Sequence, residues 1–239
     1  METKHYMVDI ETMGTLHNSA IVSIGAVEFD PFDEVLTEHT FYEKIDLDDC
    51  IKHGMTVTAA TIKWWMQQSD DARSELTGRD QKGLEITMDL FNNYLQGHSM
   101  NMPDLRIWSH GVSFDAVLLE SAYRACDRKV PWKYDGVRCT RTIFDAAGVT
   151  LHSLTRDGTH HNGLLDAQHQ ARVVQLAYRR LDLRGVANPI PRNPDNFEGT
   201  LPIPDCHRSG VIIAQPFTWG DSHSDSAGWN LEDEQCSTK

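Results

Sequence analysis

The 239-residue sequence predicts an α/β protein in which a mixed β-sheet carries helices on both of its faces. Two observations support this fold class. Three segments rich in β-branched and aromatic residues occupy the first 45 residues and are separated by turn-forming residues; they are 5–10, 20–29 and 40–45. Helical segments then alternate with a further strand, an order typical of a sheet covered by helices.

Five later segments space their apolar residues three or four positions apart, as an amphipathic helix does. They are 58–68, 84–95, 114–126, 141–147 and 164–181. In the first of them, Ile62, Trp65 and Met66 share one side. A fourth strand is predicted at 105–109, so strand and helix alternate in the second half of the folded region.

The prolines divide the chain into two parts. Six of the nine follow residue 185, and the sequence from there on is rich in Pro, Asp and Ser with weak periodicity. We therefore predict a folded domain at 1–185. Residues 186–239 are predicted to form a C-terminal segment that is either extended or docked on the domain.

Composition narrows the class of protein. The net charge is −13, which argues against a basic protein that coats nucleic acid non-specifically. The five cysteines are scattered without a CxxC pair, a pattern that favours neither a zinc ribbon nor a disulfide framework. The sequence contains no 18-residue apolar run and no visible signal peptide, so we expect a cytoplasmic protein without membrane contact.

Two acidic side chains lie next to each other on the first predicted strand. Side chains alternate along a strand, so Asp9 and Glu11 face one side while Val8 and Ile10 face the other. Adjacent carboxylates repel each other, and a bound divalent cation removes that penalty. An exposed strand end with no function would also explain this common pattern.

Two further acids begin predicted helices. Asp115 follows the turn around Gly111 after the fourth strand, and Asp166 lies on the sheet-facing side of the last helix. A buried carboxylate is costly unless it is paired or bound to a metal. The alternative for each is an ordinary first-turn acid, which stabilises a helix by about 0.3–1 kcal/mol.

Taken together, these residues resemble the DEDDh 3′–5′ exonucleases of the ribonuclease H-like superfamily. The resemblance covers roughly residues 5–181 and rests on Asp9, Glu11, Asp115, His161 and Asp166 in that order. A related subclass has Tyr at the position of Asn162, so the His subclass is indicated. The Trp-Trp helix at 61–69 is similar to the phage DexA-type branch and to a mycobacterial exoribonuclease.

The resemblance implies a cofactor and a role for each motif residue. The four carboxylates would hold two Mg²⁺ ions, for which Mn²⁺ could substitute. His161 would accept a proton from the attacking water, whereas the neighbouring His160 does not have the family's spacing from Asp166.

The implied activity is hydrolysis of single-stranded nucleic acid from its 3′ end, with release of nucleoside 5′-monophosphates. DNA is slightly favoured as the substrate. An exoribonuclease that trims RNA ends or short oligoribonucleotides is the alternative, and an inactive module that binds nucleic-acid ends is a third hypothesis. The sequence leaves the oligomeric state open, with a dimer among the options.

Substrate contacts are expected around the motif residues. The predicted set is Met13, Gly14, Thr15, Trp65, Phe114 and Arg141. Trp64 and Trp65 point in different directions on their helix, and the sequence does not decide which of them contacts a nucleotide. Residues 124–141 carry a local positive charge that is either a phosphate-guiding edge or a solvated helix face.

Overall fold

A computed structural model describes residues 3–78, 80–97, 103–156 and 161–183. The predicted C-terminal segment 186–239 and its boundary at residue 185 lie outside these residues, and so does His160. The division into a domain and a tail therefore stays a prediction.

Five strands form one mixed sheet. They are β1 (Thr3–Thr12), β2 (Ile21–Glu28), β3 (Thr40–Lys44), β4 (Asp104–Ser109) and β5 (Val137–Cys139). The spatial order is β3-β2-β1-β4-β5. The first three strands pair antiparallel, while β4 runs parallel to β1 and β5 parallel to β4. The central strand is therefore β1, whose Tyr6, Met7 and Val8 are fully buried.

In the part of the chain that the structure describes, seven α-helices connect and cover these strands. They are α1 (Leu47–Lys52), α2 (Ala59–Trp65), α3 (Asp70–Arg73), α4 (Leu84–Gln96), α5 (Asp115–Ala125), α6 (Thr140–Ala147) and α7 (Gly163–Arg180). Short 3₁₀ turns occur at Ser74–Leu76 and Leu151–Ser153. The side chains of Asp46, Thr58 and Asn162 cap α1, α2 and α7 by accepting backbone hydrogen bonds. Of the described helices, none has the length and apolar character required to span a bilayer.

The two sides of the sheet carry separate apolar cores, which confirms the predicted α/β class with helices on both faces. On one side, Tyr6, Val8 and Ile10 pack with residues of α4 and α5. On the other side, Met7 and Trp108 pack with residues of α6 and α7. Side chains along β1 therefore alternate between the two cores, and the same alternation places Asp9 and Glu11 on one side of the sheet.

Each of the nine predicted segments overlaps an observed strand or helix of the predicted type. Three elements escaped prediction: α1, α3 and β5, which are six, four and three residues long. Elements this short do not complete enough periods to register in a hydrophobic pattern.

A close backbone contact fixes the start of α7 against the sheet. Gly25 of β2 pairs with Asp9 of β1, and the backbone of Gly163 and Leu164 lies directly over it. A Cβ on Gly25 would overlap that backbone, and one on Gly163 would lie 3.0 Å from the carbonyl oxygen of Asp9. The two glycines therefore let the first turn of α7 approach the strand that carries Asp9.

We expect Gly25→Ala to destabilise the fold strongly, because its methyl group would meet backbone atoms that no side-chain rotation can move. The expected loss in free energy of unfolding is about 3 kcal/mol, the upper end for overpacking. Gly54→Ala is the control, since its methyl group meets nothing within 4 Å and only its positive φ is penalised, by about 1–2 kcal/mol. Urea unfolding measures both, and an equal or smaller loss in Gly25→Ala would contradict the role given to this contact.

Candidate active site

The end of the central strand opens into an acidic cavity of about 300 Å³. Its lining includes the five residues of the sequence motif: Asp9, Glu11, Asp115, His161 and Asp166. One carboxylate oxygen from each of Asp9, Glu11 and Asp166 lies within 4.8 Å of the others. Asp9 and Asp166 are 157 positions apart in the chain, and the fold brings them together in this cavity.

The four carboxylates come from three elements of the fold. Asp9 and Glu11 lie at the end of β1, on the side covered by α7. Asp115 is the buried first residue of α5, where backbone amide groups of Ile10 and of Asp115 itself donate to its carboxylate. Asp166 lies in the first turn of α7 and is also buried.

Burial raises the pKa of these acids, and at Asp9 and Glu11 the charges of neighbouring carboxylates raise it further. Burial raises the pKa of Asp9 well above its ordinary value, and the charges of Asp115, Glu11 and Asp166 raise it further. Burial, followed by the charge of Asp166, raises the pKa of Glu11 to about 8. Burial also raises the pKa of Asp115 to about 6, against the lowering effect of its backbone hydrogen bonds. The cluster therefore contains more negative charge than its surroundings neutralise.

Two polar side chains that sequence analysis did not single out contact the cluster. Arg156 forms an ion pair with Asp166, and the amide nitrogen Nε2 of Gln170 donates to Oδ1 of Asp9 at 2.7 Å. Gln170 lies one helical turn after Asp166 on α7, so the four-residue spacing was an available signal. Arg156 precedes α7 outside any helix or strand, and the sequence offers no periodic signal for it.

The donor set suits a hard divalent cation. Carboxylate oxygens are the ligands that Mg²⁺ and Mn²⁺ prefer, and here they converge from three chain segments. Oε1 of Gln170 is buried at the same cavity and has no hydrogen-bond partner among the described residues. A cation with its bound water would relieve the carboxylate repulsion and give that oxygen a donor.

His161 lies at the mouth of the cavity in a constrained backbone conformation. Its φ is +64°, which a non-glycine residue adopts rarely. Its backbone N–H donates to Oδ2 of Asp166 at 3.2 Å, and its Nδ1 lies 4.0 Å from Oε1 of Glu11. The imidazole also packs edge-on against Trp64, with ring centroids 4.9 Å apart.

The residue after His161 is anchored to a buried acid. Nδ2 of Asn162 donates to Oε1 of Glu75 at 3.0 Å, while Oδ1 of Asn162 caps α7. The hydroxyl of Tyr42 on β3 donates to the other oxygen of Glu75. The backbone at His161 is therefore fixed by two contacts: its own N–H donates to Asp166, and the side chain of the next residue, Asn162, bonds to Glu75 and caps α7.

A second cavity of about 470 Å³ adjoins the acidic one and shares Ile10, Glu11 and Phe114 with it. The rest of its lining is mostly small or aromatic: Thr12, Gly14, Thr15, Thr58, Ala60, Thr61 and Trp64. We call it the nucleoside cavity. Its volume lies in the range of small-ligand sites, and it opens beside the carboxylates.

The predicted substrate contacts are placed differently from one another. Gly14, Thr15 and Phe114 line the nucleoside cavity. Met13 is buried in the core, and Arg141 lies on a neighbouring cavity beside Gly111. The structure brings neither of these two side chains to the nucleoside cavity.

The structure also distinguishes between the two adjacent tryptophans. Trp65 is only 1% exposed, and its indole N–H donates to the carbonyl of Thr12 at 2.9 Å. Trp64 is 40% exposed and lines the nucleoside cavity. Of the pair, Trp64 is therefore the one whose ring faces the cavity, whereas Trp65 belongs to the core.

Comparisons with known proteins agree with this geometry. Residues 4–178 match the family described as the 3′-5′ exoribonuclease Rv2179c-like domain. An exodeoxyribonuclease of Enterobacteria phage T4 is 31% identical over 132 residues, which are 52% of this chain and 57% of the phage enzyme. The chain thus spans little more than half of that relative's length.

Two solved structures share the fold. The zinc-bound complex of E. coli ExoI with single-stranded DNA matches with a TM-score of 0.56 and 13% identity, over 76% of this chain and 42% of that one. The nuclease domain of 3′hExo, a DEDDh family member bound to rAMP, matches with a TM-score of 0.50 and 12% identity, over 74% and 92% of the two chains. With its mixed sheet, its acidic cavity and the match over residues 4–178, this chain belongs to the family of Rv2179c-like 3′-5′ exoribonuclease domains.

Proposed function

We propose that this protein is a metal-dependent 3′–5′ exonuclease that releases nucleoside 5′-monophosphates from single-stranded nucleic acid. The observation that carries the proposal is the meeting of four carboxylates and His161 on one cavity that opens into the nucleoside cavity. The assignment of the phage relative and of the family as nucleases supports it. An inactive binding module is disfavoured, because all five residues of the motif are present and close together.

Two Mg²⁺ ions, with Mn²⁺ as a substitute, are the proposed cofactors. Asp9, Glu11, Asp115 and Asp166 would hold them. Bound divalent ions of this kind activate a water molecule and neutralise charge on the phosphate. The ion pair between Arg156 and Asp166 supplies the remaining positive charge of the cavity, and it orients the Asp166 carboxylate.

His161 is the proposed general base. Its ring lies beside Glu11 at the mouth of the cavity, where water that attacks a phosphate held over the carboxylates would approach. Imidazole has an unperturbed pKa near 6.5 and accepts a proton readily at neutral pH. The hydrogen bond from the His161 backbone to Asp166 links the position of the base to a carboxylate of the cluster.

The nucleoside cavity is the proposed site for the 3′-terminal nucleoside. Trp64 and Phe114 offer flat apolar surfaces for the base and sugar. Gly14 lies at its floor, where a side chain would collide with Ser19. A terminal nucleoside in this cavity leaves its 5′-phosphate beside Glu11, which lines both cavities.

DNA is the substrate we favour, and an exoribonuclease is the alternative, which the description of the family supports. Discrimination depends on the groups that meet the 2′-hydroxyl. Among the threonines that line the nucleoside cavity, Thr12 donates to the carbonyl of Gly14, and Thr58 and Thr61 bond to each other. Three of the four threonine hydroxyls are therefore engaged within the protein, and of these threonines the exposed Thr15 is left to meet a 2′-hydroxyl, which favours DNA slightly.

The direct test is digestion of 5′-labelled single strands of DNA and RNA with and without Mg²⁺. We expect a ladder that shortens from the 3′ end, with DNA degraded somewhat faster, and no cleavage of a covalently closed circular strand. Asp9→Asn should lose more than about 90% of the activity while remaining folded, because one cation ligand is removed. Glu38→Gln, which changes an exposed acid outside the cavity, is the matched control. Cleavage of the circle, or full activity of Asp9→Asn, would refute the proposal.

Replacement of the general base separates chemistry from binding. We expect His161→Ala to lower kcat by about 10²–10⁴-fold, the usual cost of removing such a group, while the 3′ end still binds. His160→Ala removes the adjacent histidine, which lacks the family's spacing from Asp166, and should lose much less. Steady-state kinetics on a single-stranded oligonucleotide measures both. If His160→Ala lost most of its kcat while His161→Ala kept nearly the wild-type value, the assignment of the base would be wrong.

The carboxylate cluster predicts an unusual pH dependence of the metal-free protein. The pKa of Glu11 is raised from 4.5 to about 8 in the folded state, so the folded protein keeps a proton that the unfolded chain has released. Stability therefore falls as the pH rises between these two values. Urea unfolding in EDTA should show this fall in wild type, less of it in Glu11→Gln, and the wild-type fall in Glu38→Gln. An identical pH dependence in all three proteins would contradict the repulsion inferred here.

A further inference from the structure

A third cavity, of about 370 Å³, adjoins the acidic cavity. It is lined by residues of α6 and of the 3₁₀ turn at Leu151–Ser153, together with His110. His110 also lines the acidic cavity, whereas no residue lines both the third cavity and the nucleoside cavity. The three cavities thus adjoin in a row, with the carboxylates in the middle.

The guanidinium of Arg141 lies against Gly111 at the third cavity. A Cβ built on Gly111 would lie 3.3–3.4 Å from Cζ, Nη1 and Nη2 of Arg141. Three nearly equal distances mean that the flat face of the guanidinium is turned towards the glycine. Gly111 also has a φ of +124°, which side-chain-bearing residues avoid, so the backbone requires a glycine here.

Arg141 forms no ion pair within 4 Å of a carboxylate among the described residues, although its charge lowers the pKa of Asp115. Several other arginines of this acidic chain are paired with acids, as Arg128 is with Glu85 and Asp89, and Arg156 with Asp166. Asp145 lies one helical turn after Arg141 and lines the same cavity, yet it does not pair with the guanidinium. Arg141 is thus an exposed cation beside the acidic cavity, and its guanidinium is available to an anion.

The neighbouring polar groups also suit a phosphate-bearing strand. Nδ1 of His110 is hydrogen-bonded to the hydroxyl of Thr140 at 2.8 Å, which fixes the ring between the acidic and third cavities. Thr150 and His152 line the far side of the third cavity. Apart from Asp145, the polar side chains of this cavity are therefore cationic, neutral or able to donate.

We propose that the third cavity binds the part of the strand that lies 5′ of the scissile bond, with Arg141 on the next phosphodiester. This rests on the proposed function, which places the terminal nucleoside in the nucleoside cavity and its phosphate over the carboxylates. The remainder of the strand must leave the acidic cavity, and the third cavity is the adjoining space that offers an unpaired cation. Substrates with a second phosphodiester gain this contact, and substrates that contain the scissile phosphate alone do not.

The test compares two substrates that differ in this phosphate. The p-nitrophenyl ester of thymidine 5′-monophosphate carries the scissile phosphate only, and a thymidine trinucleotide carries one more phosphodiester upstream. Arg141→Ala should lower the ratio of kcat/KM for the trinucleotide to that for the ester by about tenfold, the low end for a charged hydrogen bond. Lys52→Ala removes an exposed positive charge outside the three cavities and should leave the ratio as in wild type.

A companion variant should shift the ratio in the opposite direction. Asp145→Asn removes the acid that shares the cavity with Arg141, so the ratio should rise. An unchanged ratio in Arg141→Ala, or an equal loss on both substrates, would overturn the proposal while leaving the exonuclease assignment intact.

Binding provides a readout that does not depend on hydrolysis. A fluorescein-labelled ten-nucleotide strand is titrated by anisotropy with Ca²⁺ in place of Mg²⁺. The slope of log K against log salt concentration should be shallower by about 0.7 in Arg141→Ala, the loss of one phosphate contact to a single strand. If wild type hydrolyses neither substrate, the proposed function fails, and an unchanged slope would separately refute the role of Arg141.

Discussion

The contact between Gly25 and Gly163 is the constraint on which the site depends. A helix normally rests on a sheet through its side chains, but here the backbone of α7 touches the backbone of β2 opposite Asp9. This approach brings Asp166 within reach of Asp9 and Glu11, although Asp166 lies in the helix and the other two in β1. The same turn of α7 begins at Asn162, directly after His161, so the proposed base and one acid are positioned by a single packing contact.

The carboxylate cluster works against the stability of the domain. Its acids are buried close together, and burial is the largest cause of the raised pKa at Asp9, Glu11, Asp115 and Asp166. Arg156 and Gln170 compensate in part, each by contact with one acid. A fold optimised for stability alone would replace such a cluster by apolar residues. The carboxylate cluster in this well-packed domain is therefore understandable if bound cations neutralise its charge.

The sequence was sufficient to predict the acidic residues of the site, and it was not sufficient to predict which neighbouring side chains contact them. Strand alternation placed Asp9 and Glu11 on one side, and helix periodicity placed Asp166 towards the sheet, because both depend on local geometry. The apolar stripe predicted at Ile62, Trp65 and Met66 did not separate Trp64 from Trp65, because Trp65 is buried while Ile62 and Met66 are exposed. The difference between the two tryptophans depends on which part of the helix surface the rest of the domain covers. Arg156 reaches the acids from outside any regular element, so no period could reveal it.

Glu75 shows how distant parts of the chain contribute to the geometry of the base. It is a buried acid in a 3₁₀ turn, and without hydrogen-bond donors its charge would be costly. Tyr42 on the edge strand β3 and Asn162 beside His161 supply those donors. Because Asn162 also caps α7, its side chain is bonded at both ends and leaves the preceding residue little freedom. The positive φ of His161 is therefore maintained by bonds that reach from the edge of the sheet to the start of α7, and they hold the imidazole beside Glu11.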